Sequence, residues 1–307
     1  MTDRVSPELV ELASKPSRTR AWILATRTRT LTLSIAPVAV GASIAWAETG
    51  RLRWSPVLVA ALAAALIQIG TNLYNDAADH RRGADGPARV GPLRVTAQGL
   101  LGAAEVSLAA MLSFAGAAAA GTYLAAVGGW PILALGLVSI ACGLAYSGGP
   151  RPIAYTPFGE AFALVFFGVA AVGGTYWLAA GAIAPAPIVA GLAMGLFAAA
   201  VLLVNNHRDR EEDARVGRRT LAIAIGGTAT RWLYATLMLL PFALVFPLVR
   251  LLTGAHVWTA LIAAPLALIM IARFVREPPG RGFNQILAQT AQTQSVYAVL
   301  LCLGAVV

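Results

Sequence analysis

Residues 56–79 read PVLVAALAAALIQIGTNLYNDAAD, an apolar run that closes on two asparagines and two aspartates, Asn72, Asn75, Asp76 and Asp79. A helix needs about 20 apolar residues to cross the hydrocarbon core of a bilayer, so 56–75 reads as a membrane span and the remainder as its polar end. Positions 72, 75, 76 and 79 stand in i, i+3, i+4, i+7 relation, which places all four side chains on one helical face.

The rest of the chain repeats the pattern of that span. It is 307 residues long, 58% hydrophobic and only 12% charged, with mean hydropathy +0.71, against the roughly 25% charge of soluble domains. Nine spans are expected, at about 31–47, 56–75, 100–125, 130–147, 159–180, 184–205, 232–252, 256–272 and 286–307. The fold class is all-α, a polytopic membrane protein forming one domain over 1–307, with polar cap loops at 76–99 and 205–231. Basic residues crowd the cytoplasmic side of membrane proteins. With the N-terminus inside, only Arg51, Arg53 and Arg250 of 23 basic residues fall outside, so the acidic end of 56–79 faces the cytoplasm and the C-terminus faces out.

The net charge of +9 is spread over membrane-flanking loops without interleaved surface aromatics, which argues against nucleic acid and for anionic lipid and a phosphorylated substrate. Cys142 and Cys302 lie inside spans without ligand spacing and read as small packing residues. No signal peptide is evident. Residues 8–30 mix Trp22 and Ile23 with Lys15, Arg18, Arg20, Arg27 and Arg29, a pattern suited to lying at the membrane interface.

A second acidic patch ends the 184–205 span: Asn205, Asn206, Asp209, Glu212 and Asp213. At an offset of 133 Asn72 aligns with Asn205, Asp76 with Asp209, Asp79 with Glu212 and Arg82 with Arg215, so two related helical units are expected to face one another. Residues 205, 209 and 213 again share a face at i, i+4, i+8.

A carboxylate in a span costs about 2.5–3.5 kcal/mol at the bilayer centre, less near the interface, so clustered acids need a compensating cation. Arginine is one candidate and a divalent metal the other. Carboxylate and amide oxygens without a His or Cys set favour Mg2+, which takes one or two carboxylates and completes its shell with water and phosphate oxygens. Two such stripes flanked by arginine describe a clamp for a diphosphate. Arg94 and Arg208 read either as phosphate contacts or as orientation charges, and Tyr146 either as an orienting group or as an interfacial anchor.

Asn72-x-x-Asn75-Asp76-x-x-Asp79 and Asn205-Asn206-x-x-Asp209-x-x-x-Asp213 resemble the two aspartate-rich motifs of the UbiA superfamily of intramembrane prenyltransferases. Further stretches resemble the 1,4-dihydroxy-2-naphthoate prenyltransferase group of menaquinone synthesis: Arg29-Thr30-Leu31, Gly83-Ala84-Asp85, Gly91-Pro92-Leu93-Arg94-Val95-Thr96, Tyr146-Ser147-Gly148-Gly149-Pro150, Phe158-Gly159-Glu160, Phe166-Phe167-Gly168 and Gly217-Arg218-Arg219-Thr220-Leu221-Ala222. Thr28, where that group often has proline, and His207 depart from its pattern.

The resemblance implies nine helices around a central cavity with a lateral opening, in a bacterial inner membrane. It implies Mg2+-dependent transfer of a polyprenyl group from its diphosphate to an aromatic acceptor, 1,4-dihydroxy-2-naphthoate first, with 4-hydroxybenzoate, homogentisate and haem as alternatives. Asp76 and Asp79 would ligate one Mg2+ with support from Asn72 and Asn75, and Asp209 and Asp213, with Asn205, the other. Asp85, Arg94, Asn206, Arg208 and Tyr146 would meet the substrates. A coupled transporter is the rival from another class, but its carboxylates belong near the midplane, where this chain has none. A CDP-alcohol phosphotransferase signature is echoed at Asp85-Gly86-Pro87-Ala88-Arg89, one residue short and without its downstream acids. Chain length of the prenyl group and oligomeric state are not written in the sequence.

Overall fold

The computed structural model describes residues 16–83, 90–91 and 94–307. Its elements in order are α1 Arg18–Thr26, α2 Thr32–Thr49, α3 Trp54–Arg81, α4 Ala103–Gly128, α5 Trp130–Ser147, α6 Gly159–Ala180, α7 Pro185–Arg208, α8 Arg210–Arg215, α9 Leu221–Leu251, α10 Val257–Arg276 and α11 Phe283–Val306. Among the described residues, eight helices are long and apolar enough to cross a membrane, α3 to α7 and α9 to α11. The ninth, α2, has 18 residues and carries Glu48 near its end. The all-α, nine-span expectation is met.

Helix α7 is the axis of the bundle: 78% of its most apolar window is buried, against 17–44% in the other seven. Apolar lipid offers no hydrophobic drive for helix association, so close approach must come from small residues. Gly191 and Gly195 of α7 meet Gly168 of α6 so tightly that a methyl group on Gly195 would collide with the Leu164 carbonyl, and one on Gly168 with that of Gly191. At this contact α6 widens into a π-helical stretch, Val165–Ala170, the kind of irregularity that re-aims side chains near functional sites. Around α7 the main core joins α2, α6, α9, α10 and α11 through residues such as Ile44, Phe197, Tyr234 and Tyr297.

Helix α1 is short, capped by the Ser17 hydroxyl, which accepts from Arg20 N at 3.3 Å, and ended by Arg27 in the left-handed region at φ 52°. One side, Ala21 and Ala25, packs on Leu73 and Ala77 of α3 and on Val95 and Leu101 beyond it, while Ile23 and Leu24 are exposed. Residues 8–15 of the stretch expected at the interface lie outside the described residues.

Two boundaries depart from expectation. The stretch 205–231 is mostly helical: α7 runs on to Arg208, α8 follows, and α9 begins at Leu221, leaving only 216–220 as a link. Gly226, at φ 77°, breaks α9 early, and Arg231 on its first turns lowers the apolarity by which a span is recognised. Likewise α3 continues to Arg81, so Asp76 and Asp79 stand on helix rather than in a cap loop.

Candidate active site

The two acidic helix ends meet. Asp79 on α3 and Asp213 on α8 close on the same guanidinium: Arg218 reaches Asp79 Oδ1 with Nη2 at 2.9 Å and Asp213 Oδ1 with Nη1 at 3.1 Å. Asp79 also accepts from Arg94 Nη2 at 3.0 Å and from Asn75 Nδ2 at 3.2 Å, both on Oδ2. It is 1% exposed, so these contacts replace the water it has lost. Burial pushes the Arg218 guanidinium down, but the carboxylates of Asp79 and Asp213 outweigh it and the net shift is upward. Arg218 therefore stays charged at any working pH, and its face lies 4.8 Å from the Tyr155 ring.

Asp209 is matched by its own neighbour. Arg208 holds it in a fork, Nε to Oδ1 at 2.7 Å and Nη2 to Oδ2 at 2.6 Å, and also reaches Asn205 Oδ1 and Asn284 Oδ1, each at 2.8 Å. Asp209 is the junction between α7 and α8. The backbone bonds Asp209 N to Asn205 O, 3.1 Å, and Asp213 N to Asp209 O, 2.8 Å, carry the helical register across it, so 205, 209 and 213 keep the shared face their spacing predicts. Asn284, from the polar start of α11, also donates to Val90 O at 3.1 Å. Arg273 binds Gln285 Oε1 at 3.2 Å and Gln289, so these amides bond across helices.

Asp76 stands apart from the other three acids. Its carboxylate accepts from Val95 N at 3.2 Å, from Thr96 N at 3.1 Å and from the Thr96 hydroxyl. Asn72 likewise turns away from the acids, donating to Thr26 O at 3.1 Å. The four-residue stripe predicted on α3 thus divides: Asn75 and Asp79 serve the meeting point, whereas Asn72 and Asp76 fasten neighbouring segments. Asp85 lies outside the described residues.

A cavity of about 540 Å³ opens at this point. Asn75, Arg94, Asn205, Asn206, Asp209 and Arg218 form its polar end, and Leu124, Ile132 and Leu178 line its far, apolar end. Its size is that of a small-molecule site. Tyr146 lines it, as the orienting reading requires. Glu160 is buried behind it, accepting from Asn206 Nδ2 at 2.9 Å, with its second oxygen unpartnered among the described residues. His207 packs on Phe274 and Phe283 at ring distances of 5.0 and 5.2 Å, and His80 is exposed.

The donor set suits a hard divalent cation. It consists of carboxylate and amide oxygens, and Arg218 occupies the place of a cation on which Asp79 and Asp213 converge. Among the described residues no three Asp, Glu, His or Cys form a complete cage. Mg2+ needs none, because phosphate oxygens and water finish its octahedron.

Four site residues escaped the sequence-level reading. Arg27 donates to Asn75 Oδ1 at 3.3 Å, Ser147 Oγ accepts from Asn75 Nδ2 at 2.7 Å, Thr96 binds Asp76, and Arg218 joins the two stripes. The last three lie within stretches whose family resemblance was visible, and that resemblance was the available signal.

The UbiA prenyltransferase family model matches residues 34–285. The chain is 36% identical over 299 residues to the 1,4-dihydroxy-2-naphthoate octaprenyltransferase of Escherichia coli, covering 94% of this chain and 96% of that one. It is 36% identical over 278 residues to the enzyme of the same name from Mycobacterium tuberculosis, covering 91% and 94%. A UbiA homologue from Archaeoglobus fulgidus, solved bound to GPP and Mg2+, superposes with TM-score 0.68 at 17% identity over 93% of this chain and 99% of that one.

Proposed function

The chain belongs to the UbiA prenyltransferase family, and we propose that it transfers a polyprenyl group from a polyprenyl diphosphate to 1,4-dihydroxy-2-naphthoate, with Mg2+, at the cytoplasmic face of a bacterial inner membrane. It is a multi-pass membrane enzyme. The observation that carries the reading is the joining of Asp79 and Asp213 through Arg218 at the polar mouth of an apolar cavity.

In this reaction the allylic C–O bond breaks, the electron pair leaves with diphosphate, and a new C–C bond forms to the ring, which loses its carboxylate as CO2. Asp79 with Asn75 on one side, and Asp209 and Asp213 with Asn205 on the other, would hold Mg2+, which would supply positive charge against the leaving diphosphate. Arg94, Arg208 and Arg218 add fixed donors where that charge develops, and their forked geometry suits phosphate oxygens. The apolar reach of the cavity keeps water from the allylic cation. Phe162 and Phe166, stacked at 6.0 Å on the cavity wall, offer ring faces that favour a positive charge. Tyr146 and Asn206, both lining the cavity, are placed to orient the acceptor's hydroxyl groups.

Membranes carrying the protein, supplied with a polyprenyl diphosphate and a panel of aromatic acceptors, test this directly. Prenylation of 1,4-dihydroxy-2-naphthoate that EDTA abolishes and Mg2+ restores is expected. Product formed equally well in EDTA, or only with another acceptor, overturns the metal or the acceptor assignment respectively.

A further inference from the structure

We propose that Asp76 is a positioning residue, not a ligand of metal or diphosphate: its carboxylate fastens the 94–101 turn to α3 and so sets Arg94 at the mouth of the cavity. The proposal rests on the diphosphate reading above.

The contacts of Asp76 all run one way. Oδ2 accepts from Val95 N and Oδ1 from both Thr96 N and the Thr96 hydroxyl, and the same hydroxyl lies 3.1 Å from the Asp76 carbonyl. A carboxylate offers about four lone-pair sites, so three are spent on the turn. Asp76 is 2% exposed, and its carboxylate is bonded to backbone N–H groups and a hydroxyl, whereas those of Asp79, Asp209 and Asp213 are bonded to guanidinium groups. Adjacent residues on a helix diverge by about 100°, so when Asn75 faces the cavity Asp76 faces its wall. Two successive backbone N–H groups aimed at one carboxylate form an anion-holding concavity, here filled by the protein's own acid.

The turn is built to transmit that grip. Gln98 N bonds Arg94 O at 3.1 Å, Gly99 N bonds Thr96 O at 3.0 Å and Leu100 N bonds Val95 O at 2.9 Å. Val95 and Leu101 are buried against Leu73, Ala77 and α1. Arg94 immediately precedes the gripped pair, and its guanidinium reaches Asp79 and lines the cavity. Asp76 and Asp79, three residues apart on one helix, thus hold the two ends of one device: the first fixes the backbone, the second receives the side chain.

The test compares Asp76→Ala, Thr96→Val and Asp79→Asn for KM toward polyprenyl diphosphate and for half-saturating Mg2+. Loss of hydrogen bonds to a charged group predicts about a 10-fold rise in KM for Asp76→Ala, with Mg2+ half-saturation changed less than about twofold. Thr96→Val, which leaves every candidate metal donor intact, shifts KM in the same direction by less, and Asp79→Asn shifts Mg2+ half-saturation. The Asp76→Ala/Thr96→Val double variant is no worse than Asp76→Ala alone, because both act through one contact. A tenfold shift in Mg2+ half-saturation on Asp76→Ala, or multiplicative losses in the double variant, overturns the proposal. Amide hydrogen exchange at residues 95 and 96, faster in folded Asp76→Ala than in wild type because both N–H groups lose their acceptor, reads the contact without any turnover. Unchanged exchange overturns it independently of whether the proposed acceptor is prenylated.

Discussion

The end of α3 and the α7–α8 junction carry similar acids in similar spacing, yet neutralise them in opposite ways. Asp79 draws its partners from far along the chain, Arg94 and, 139 residues away, Arg218; Asp76 and Asn72 bind the 94–101 turn and α1. Asp209 takes both its closest bonds from Arg208, the preceding residue. The first end is a hub on which separate segments converge, and the second is a local ion pair whose arginine is shared with Asn205 and with Asn284 of α11. The 133-residue echo between the patches is therefore one of composition and register, not of wiring. A charge removed from the hub frees several segments, while one removed from the junction frees one arginine.

The largest expected effect follows from Asp79→Asn. The amide keeps the volume but removes the charge shared by Arg94 and Arg218, and breaking a buried ion pair one-sidedly costs about 3–5 kcal/mol. Turnover should fall by at least about 100-fold, with a measurable drop in thermal stability. Asp209→Asn should lower turnover by about 10- to 100-fold, as when metal sites lose a supporting group, with a smaller change in melting temperature. Parallel assays of prenyl transfer and melting in membranes or micelles decide it. Equal stability losses would erase the distinction between hub and pair.

Next comes Arg218→Lys. An ammonium is a point charge that cannot offer two parallel donors to two carboxylates, nor stack on Tyr155 as a guanidinium does. A loss of about 10-fold in kcat/KM for the diphosphate is expected, with both ends affected because Arg218 joins Asp79 to Asp213. Steady-state kinetics at saturating acceptor measure it; a wild-type value would show that the two ends are held together by something other than this residue.

The division between hub and pair also marks what could be read from sequence. The spans, the acids at helix ends and the oxygen-rich composition of the two patches were legible because helical periodicity and hydropathy are local properties. Arg208 was legible as a phosphate contact or an orientation charge, but its fork on Asp209 was not. Arg218 was not assigned to Asp79, nor Thr96 to Asp76, because pairing across such separations is decided by how helices pack and leaves no periodic trace. The start of α9 at Leu221 was hidden by Arg231 and by Gly226, whose left-handed backbone bends a helix that hydropathy begins only later. Placing Asn72 and Asp76 with the metal donors followed from the α3 stripe; their bonds to Thr26 and to the 94–101 turn join segments apart in sequence and leave no local trace.

The smallest effect sharpens the comparison within the asparagines. Asn72 gives one neutral hydrogen bond, to Thr26 O, and does not line the cavity; such a bond is worth about 1 kcal/mol. Asn72→Ala should therefore lower the melting temperature by a few degrees, loosen α1, and leave kcat and Mg2+ dependence within about twofold of wild type. Asn205, its partner in the echo, accepts from the Arg208 guanidinium and lines the cavity, so Asn205→Ala should lower the melting temperature at least as much and also raise KM for the diphosphate. Differential scanning fluorimetry beside steady-state kinetics separates the two. If Asn72→Ala instead raises the Mg2+ requirement, the α3 stripe acts as one ligand face after all, and α1 is held by other contacts.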